Sequence, residues 1–480
     1  MREHPDTSIS ARLLVLSLAL AALALALTLT HAPPASASSR QATMLQDDPE
    51  LLYGTSATRD SRLSELQSLG VDIVKVRVRW RDLAPSKPSN GADPSSYSAA
   101  AWAPYDAIVS GAASRGMSVM FQLGGTAPDW ATPGKSAVDR PNASEFGKFV
   151  QAVGTRFPTV KIWSIWNEPN LSAWLSPQVK GGVPQAPRIY RGLVNTAVNG
   201  LKASGHGKDQ ILLGELLPFT RSAGSSSKKI RPLDFLREMA CVDSHYRAFR
   251  GKAAKKRGCT HFHALPGTGL AYHPYTLAGG PNVRTPNKSD ASISDLGRIT
   301  SVLNKLRSKK RIQKRSMPIW ITEFGFQTNP PDRYASPIKK VPGFMSQSEY
   351  IAYKNRRVAS YSQYPLIDDA GKVNGFQSGL RFHNGKKKPG VFAAFQRPFY
   401  ARKSGSRVEL FGAVRASTGG TVTLQSRTST KAKWKTLGSA TLNSRGYFDK
   451  RFRVSRVSKR YFRFTGAGTP ASRAAKASSH

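Results

Sequence analysis

Between about residues 50 and 365, short apolar, β-branched runs alternate with stretches whose apolar residues fall three or four apart. This recurrence constrains the chain more than any other feature. The strand-like runs are Leu51 to Gly54, Val71 to Trp80, Met117 to Leu123, Val160 to Trp166, Gln210 to Leu217, Gly269 to Tyr275, Pro318 to Phe324 and Val358 to Leu366, eight in all. Helical spacing shows between them, as in Leu63, Leu66, Leu69 and in Phe146, Phe149, Val150, Val153,. Gly70 and Gly116 stand where a left-handed cap ends such a helix,. Eight strand-then-helix units predict an α/β fold of the (β/α)8 barrel type, with the chemistry at the strand ends. A doubly wound open sheet is the competing fold, but no Gly-rich phosphate loop follows an early strand,.

The ends of the chain differ from its middle. Leu13 to Leu29 is a Leu/Ala/Val run broken only by Ser17 and Thr28, preceded by Arg2 and Arg12 and followed by Ala35-Ser36-Ala37. A basic start, an apolar stretch and small residues at A-x-A spacing predict a secretory signal over residues 1–37, against the alternative of an uncleaved anchor. The barrel is then expected over 38–400. Beyond 400, Arg407 to Arg415, Thr421 to Arg427, Lys433 to Leu437, Tyr447 to Val454 and Arg460 to Phe464 are short strand-like runs without helical period. They predict a small antiparallel β-sandwich over 401–465, with a disordered tail over 466–480.

Charge bears on partners. The chain carries 72 Lys and Arg against 29 Asp and Glu, a net +43. Losing residues 1–37 removes two residues of each sign, so the surplus belongs to the exported part. From Ala401 on, 18 basic residues face only Glu409 and Asp449, a local +16. Such a surplus attracts polyanions: an anionic cell-wall polymer or acidic glycan held by the carboxy-terminal strands, or merely a solvated surface. The export signal argues against nucleic acid. Cys241 and Cys259 lack zinc-site spacing and are expected to form one disulfide in an oxidising compartment, or else to be two buried thiols,.

Two segments carry the chemistry. Ile162-Trp-Ser-Ile-Trp-Asn-Glu-Pro-Asn170 is a strand ending abruptly at Asn167-Glu168-Pro169, and Pro318-Ile-Trp-Ile-Thr-Glu-Phe-Gly-Phe326 places Glu323 at the end of another. As the fourth and seventh strands of a barrel they lie across the mouth from each other. Two facing carboxylates are what glycoside hydrolysis requires, one protonating the leaving oxygen and the other attacking or activating water.

Trp166-Asn-Glu-Pro169 and Thr322-Glu-Phe-Gly325, with the intervening length, resemble the clan A glycoside hydrolases, the cellulase- and β-xylosidase-like (β/α)8 barrels, over roughly residues 50–395. The resemblance implies a retaining mechanism with Glu168 as acid/base, Glu323 as nucleophile and Asn167 bonding the sugar 2-hydroxyl. Tyr272-His-Pro-Tyr275 is similar to the family's sixth strand, so that Tyr275 orients the nucleophile and His273 lines the cleft. One departure stands out. Where the family carries an Arg five residues before a second-strand Trp, Lys75 precedes Trp80, and either Arg77 or Lys75 is left to take that role,.

Other residues read less sharply. Trp130 is either a sugar-stacking platform or packing, whereas Trp102 and Tyr105 have core spacing,. Glu215 ends the fifth strand with no family counterpart. His261, His263 and His273 lack a completing carboxylate or Cys, so no metal and no cofactor is expected,. A glycan on the Asn170 sequon would crowd the cleft, so that site is expected to be unused. Together these readings predict a secreted, monomeric retaining glycosidase acting on a β-linked poly- or oligosaccharide. The alternative is a catalytically weak barrel serving as a basic wall- or polysaccharide-binding protein.

Overall fold

The computed structural model describes residues 40–479 apart from 219–228, 277–278, 315, 372–374, 418 and 467. The expected signal segment lies outside the described residues. Eight strands close a barrel: β1 (Ala42–Gln46), β2 (Ile73–Val78), β3 (Ser118–Leu123), β4 (Ile162–Ile165), β5 (Gln210–Leu216), β6 (Gly269–Tyr272), β7 (Ile319–Ile321) and β8 (Val358–Gln363). Every neighbouring pair is parallel and β8 returns to β1. The (β/α)8 expectation therefore holds.

Strand periodicity sorts the side chains. On β2, Val74, Val76 and Val78 join the large apolar cluster shared with the surrounding helices, while Ile73 joins a separate cluster with Ala42, Met44, Met120, Leu212 and Ala271. This second set is the apolar floor of the barrel interior, and Lys75 and Arg77 follow Ile73 on the same face above it.

The first strand is a correction. Leu51 and Leu52 belong to a short helix, Asp48–Leu52, whose N-cap Asp47 accepts from Glu50 N–H, and the strand is Ala42–Gln46 instead. The second Asp47 oxygen accepts from Leu366 and Ile367 N–H at 3.0 Å, tying that helix to the end of β8,.

The β5 strand changes phase along its length. Leu212 faces the barrel interior and Leu213 the outer cluster, but the pairing with β6 slips between Gly214 and Leu216, and Leu216 is again in the outer cluster. The slip turns Glu215 inward. Gly214 permits it: its φ is +110° and an added Cβ would sit 2.3 Å from the Ala271 carbonyl oxygen,.

The carboxy-terminal strands form two antiparallel sheets. One comprises β9 (Phe399–Ser404), β10 (Arg407–Ala413) and β13 (Tyr447–Arg453); the other comprises β11 (Thr421–Arg427), β12 (Lys435–Thr441), β14 (Tyr461–Gly466) and β15 (Ala475–Lys476). Phe399, Leu410, Leu424, Phe448, Phe462 and Phe464 fill the space between them. The sandwich thus begins at Phe399. The expectation of a disordered tail is corrected as well: β15 pairs with β14, and the buried Ser472 exchanges hydrogen bonds with the Phe464 backbone.

Barrel and sandwich belong to one compact unit, 38–480. Their contact centres on the helix Val341–Lys354. Glu349 on that helix accepts from Arg415 at 2.5 Å and from the Tyr447 hydroxyl at 2.7 Å, all three buried. Tyr350 and Lys354 engage Glu409 at 2.8 and 2.7 Å, and Lys354 also reaches Asp449 at 2.9 Å. Both acidic residues of the sandwich are thereby used against the barrel. Cys241 and Cys259 are disulfide-bonded, as expected, and closing this short loop contributes roughly 3 kcal/mol through the unfolded state,. Among the described residues no helix is long and apolar enough to cross a membrane.

Candidate active site

At the carboxyl ends of the strands a cavity of about 680 Å³ is lined by Arg77, Asn167, Glu168, Tyr275, Glu323 and residues of the surrounding loops. Glu168 arrives there through an abrupt strand end. Trp166 and Glu168 both take left-handed backbone angles, φ 68° and 34°, which side-chain-bearing residues seldom adopt,. Trp166 is held in place by donating to the Trp174 carbonyl at 2.9 Å and by packing edge-on against Phe146. A Cβ at Gly124 would lie 2.7 Å from the Trp166 ring, so glycine is required beneath it.

Beneath the two carboxylates lies a buried network. His273 is fully buried, with Nδ1 3.0 Å from Glu168 Oε1 and Nε2 3.1 Å from Glu215 Oε2 and 3.8 Å from Glu323 Oε2. Lys75 Nζ donates to the same Glu215 Oε2 at 2.6 Å, and both side chains are completely shielded from solvent. Tyr275 donates its hydroxyl to Glu323 Oε1 at 2.7 Å. One imidazole therefore spans both cleft carboxylates, with a lysine-glutamate pair behind it.

The electrostatics follow from burial and neighbours. Burial alone opposes protonation of His273, but the Glu323 charge and the hydrogen bonds to Glu168 and Glu215 outweigh it, lifting the imidazole to about 9. Burial likewise opposes the Glu215 carboxylate, yet Lys75 and His273 bring it down to about 2,. At neutral pH the network holds an imidazolium and an anionic Glu215. Burial, aided by the Glu323 charge, keeps the Tyr275 phenol well above its ordinary range, so it remains a donor.

The structure gathers the expected residues unevenly. Asn167 accepts from Gln122 Nε2 at 2.8 Å, and Gln122 Oε1 in turn accepts from Arg77 at 3.4 Å. The Arg77 guanidinium lies 4.8 Å over the Trp174 ring. Neither Arg77 nor Lys75 makes a hydrogen bond or ion pair to Glu323 among the described residues, so neither takes the role expected of the missing Arg. Lys75 serves Glu215 instead. Trp130 stands apart from the cleft lining, its indole N–H donating to the Ala84 carbonyl and its ring edge-on to Trp80; it is packing, not a platform. Asn170 is buried and bonded to the backbone of Leu217 and Ile230, so its sequon cannot carry a glycan in this fold.

Sequence reasoning left Glu215 a weak candidate because the β5 phase change is invisible in strand periodicity. It missed Gln122 altogether, although Gln122 follows Met120 by two on β3 and shares its inward face. Trp174, Tyr364 and Phe376 line the cleft from loops and carry no periodic signal.

The model of the cellulase family (glycosyl hydrolase family 5) matches residues 37–220, which span β1 to β5 and include Trp166-Asn-Glu-Pro169. Over that stretch the chain resembles the clan A glycoside hydrolases. Among solved structures, the chain is similar in fold to a GH5_18 protein from Streptomyces cattleya in complex with GlcNAc, at 15% identity and a TM-score of 0.50, covering 75% of this chain and 80% of that one. A GH5_18 from Bifidobacterium longum subsp. infantis is similar at 14% identity and a TM-score of 0.50, covering 74% and 77%. No curated protein sequence matches significantly.

The network sets the pH dependence of the protein's stability. His273 titrates above its unfolded value of 6.5, so its contribution is complete below that pH and is lost as pH rises through about 9,. Glu215 titrates below its unfolded value of 4.5, so its contribution is complete above that pH and is lost as pH falls through about 2. Thermal midpoints measured across pH should therefore be highest between about 4.5 and 6.5 and decline toward 9. In Glu215→Gln the plateau should drop, because Lys75 is left buried without a counter-charge, and the alkaline decline should begin at lower pH. Superimposable profiles for the two proteins would show that the groups are not coupled.

Proposed function

We propose that this is a secreted retaining glycoside hydrolase acting on a β-linked poly- or oligosaccharide, with Glu168 as acid/base and Glu323 as nucleophile. One observation carries the assignment: the two carboxylates converge on a single cleft around His273, while the Tyr275 hydroxyl is bonded to Glu323 alone. That hydroxyl fixes one Glu323 oxygen, and the other, 3.8 Å from His273 Nε2, is left to attack an anomeric carbon. Glu168 must deliver a proton to the departing oxygen and then withdraw one from water. Asn167, steered by Gln122, is placed to bond a sugar hydroxyl next to the reacting carbon.

Secretion is supported by the amino-terminal sequence and by the Cys241–Cys259 disulfide, a bond favoured in an oxidising compartment,. Lys75 does not argue for an inert barrel, since its charge is committed to Glu215.

Glu323→Gln should lower turnover of aryl β-glycosides by about 10³-fold or more, with the fold intact by circular dichroism. Glu168→Ala should impair substrates with poor leaving groups far more than activated ones, and added azide should restore turnover while forming a β-glycosyl azide. Unchanged turnover in Glu323→Gln would end the assignment, as would an initial sugar product of inverted configuration by proton NMR. Amino-terminal sequencing of protein exported by a secreting host should begin at Ser38; a start at Met1 would contradict cleavage.

A further inference from the structure

A cavity of about 760 Å³ lies where the sandwich meets the barrel, away from the cleft. Its lining includes five cations, Lys339, Lys340, Arg397, Arg473 and Lys476, and no acidic residue. None of the five forms an ion pair among the described residues. Arg473 donates to the Phe399 carbonyl at 2.8 Å, and burial pushes its guanidinium down to about 10. Arg397 Nε is buried without a hydrogen-bond partner, and burial lowers that guanidinium also. Arg397 and Arg473 are partly buried and neither meets a carboxylate among the described residues, so five cations share the cavity with no counter-charge, an arrangement that suits an anion from outside,.

The cationic lining continues out of the cavity. Lys476 Nζ sits 5.1 Å from the centroid of the Tyr461 ring, and Tyr461 pairs across the sheet with Arg427. Arg427 and Arg463 both lie over Trp434, at 4.4 and 4.2 Å. This outer face of the four-stranded sheet has no counter-charge of its own, because Glu409 and Asp449 are turned against the barrel. A single small anion would occupy only part of the cavity and leave the outer row unused. An extended polymer would meet both.

We infer that the cavity and the adjoining outer face form a binding site for a carboxylate-bearing polysaccharide, separate from the hydrolytic cleft. Planar guanidiniums suit carboxylates in a two-point fork. The Trp434 and Tyr461 rings are already covered by cations, so they cannot serve as the stacking platforms that single-stranded nucleic acid uses. The inference rests on the hydrolase reading only in preferring a glycan, and its test reads binding without turnover.

The full-length protein is titrated with polygalacturonate and with trigalacturonate at low salt, with hydroxyethyl cellulose and double-stranded DNA as comparisons. Lys340→Gln/Lys476→Gln should weaken binding of both uronates by about tenfold or more. Arg427→Gln/Arg463→Gln, on the outer face, should weaken the polymer and spare the trimer. Lys252→Gln/Lys256→Gln, which removes equal charge from an exposed helix elsewhere, should change binding less than about twofold, and all three variants should keep wild-type turnover of a small aryl glycoside. Equal losses in the third variant would overturn the proposal in favour of diffuse charge. Binding of DNA as tight as that of polygalacturonate, with the same sensitivity to the variants, would overturn it in favour of a general polyanion site, and no uronate binding at low salt would end it.

Discussion

The ion pair between Lys75 and Glu215, closed inside the barrel at 2.6 Å, is the interaction on which the cleft depends. Two charges without solvent are stable only as a pair, and here the imidazolium of His273 shares the Glu215 oxygen that Lys75 bonds and takes the next place in the chain,. The result is a row of alternating charge running upward from an apolar floor to the two carboxylates at the mouth. Each member is held by the one beneath it. A carboxylate on a flexible rim would sample many rotamers, whereas Glu168 is bonded to a ring that cannot turn without abandoning Glu215,. The backbone contributes by holding Trp166 and Glu168 in left-handed geometry, which the surrounding packing must overdetermine,.

The charge surplus is distributed by the same logic of pairing. The acidic residues of the sandwich are consumed at the barrel, together with the buried contact of Glu349 with Arg415 and Tyr447. Among the described residues, the charges that remain on the exposed four-stranded sheet and around the junction cavity are cationic and form no ion pair. Basicity is therefore sorted into a structural part, spent on holding two layers together, and an outward part available to ligands.

Much of this was legible in the residues. Seven of the eight strand runs lie where the barrel strands fall, and the residue contexts of Glu168, Glu323, His273 and Tyr275 sufficed to place them in one cleft. The failures have physical causes. The first strand is only five residues, Ala42 to Gln46, with polar Thr43 and Gln46 among them, so the apolar Leu51-Leu52 pair of the following helix gave the stronger signal. Glu215 was misjudged because a slip at Gly214 reverses which face it occupies, and that slip depends on the neighbouring strand. The tail from Gly466 has the composition of a disordered segment, yet a two-residue strand and one buried serine order it against the sandwich. Arg77 and Lys75 share a strand face, but only the depth of each along β2 decides that one meets the cleft and the other its buried support.

The most direct test of this account is to trap the reaction midway. A 2-deoxy-2-fluoro β-glycoside with a good leaving group forms its glycosyl-enzyme readily but releases it slowly, so peptide mass spectrometry can locate the sugar. The account predicts one added fluorosugar on the peptide containing Thr322-Glu323-Phe324, absent from the Glu323→Gln protein. A label on the Asn167-Glu168 peptide, or turnover of the fluorosugar with no covalent adduct at any time, would contradict it.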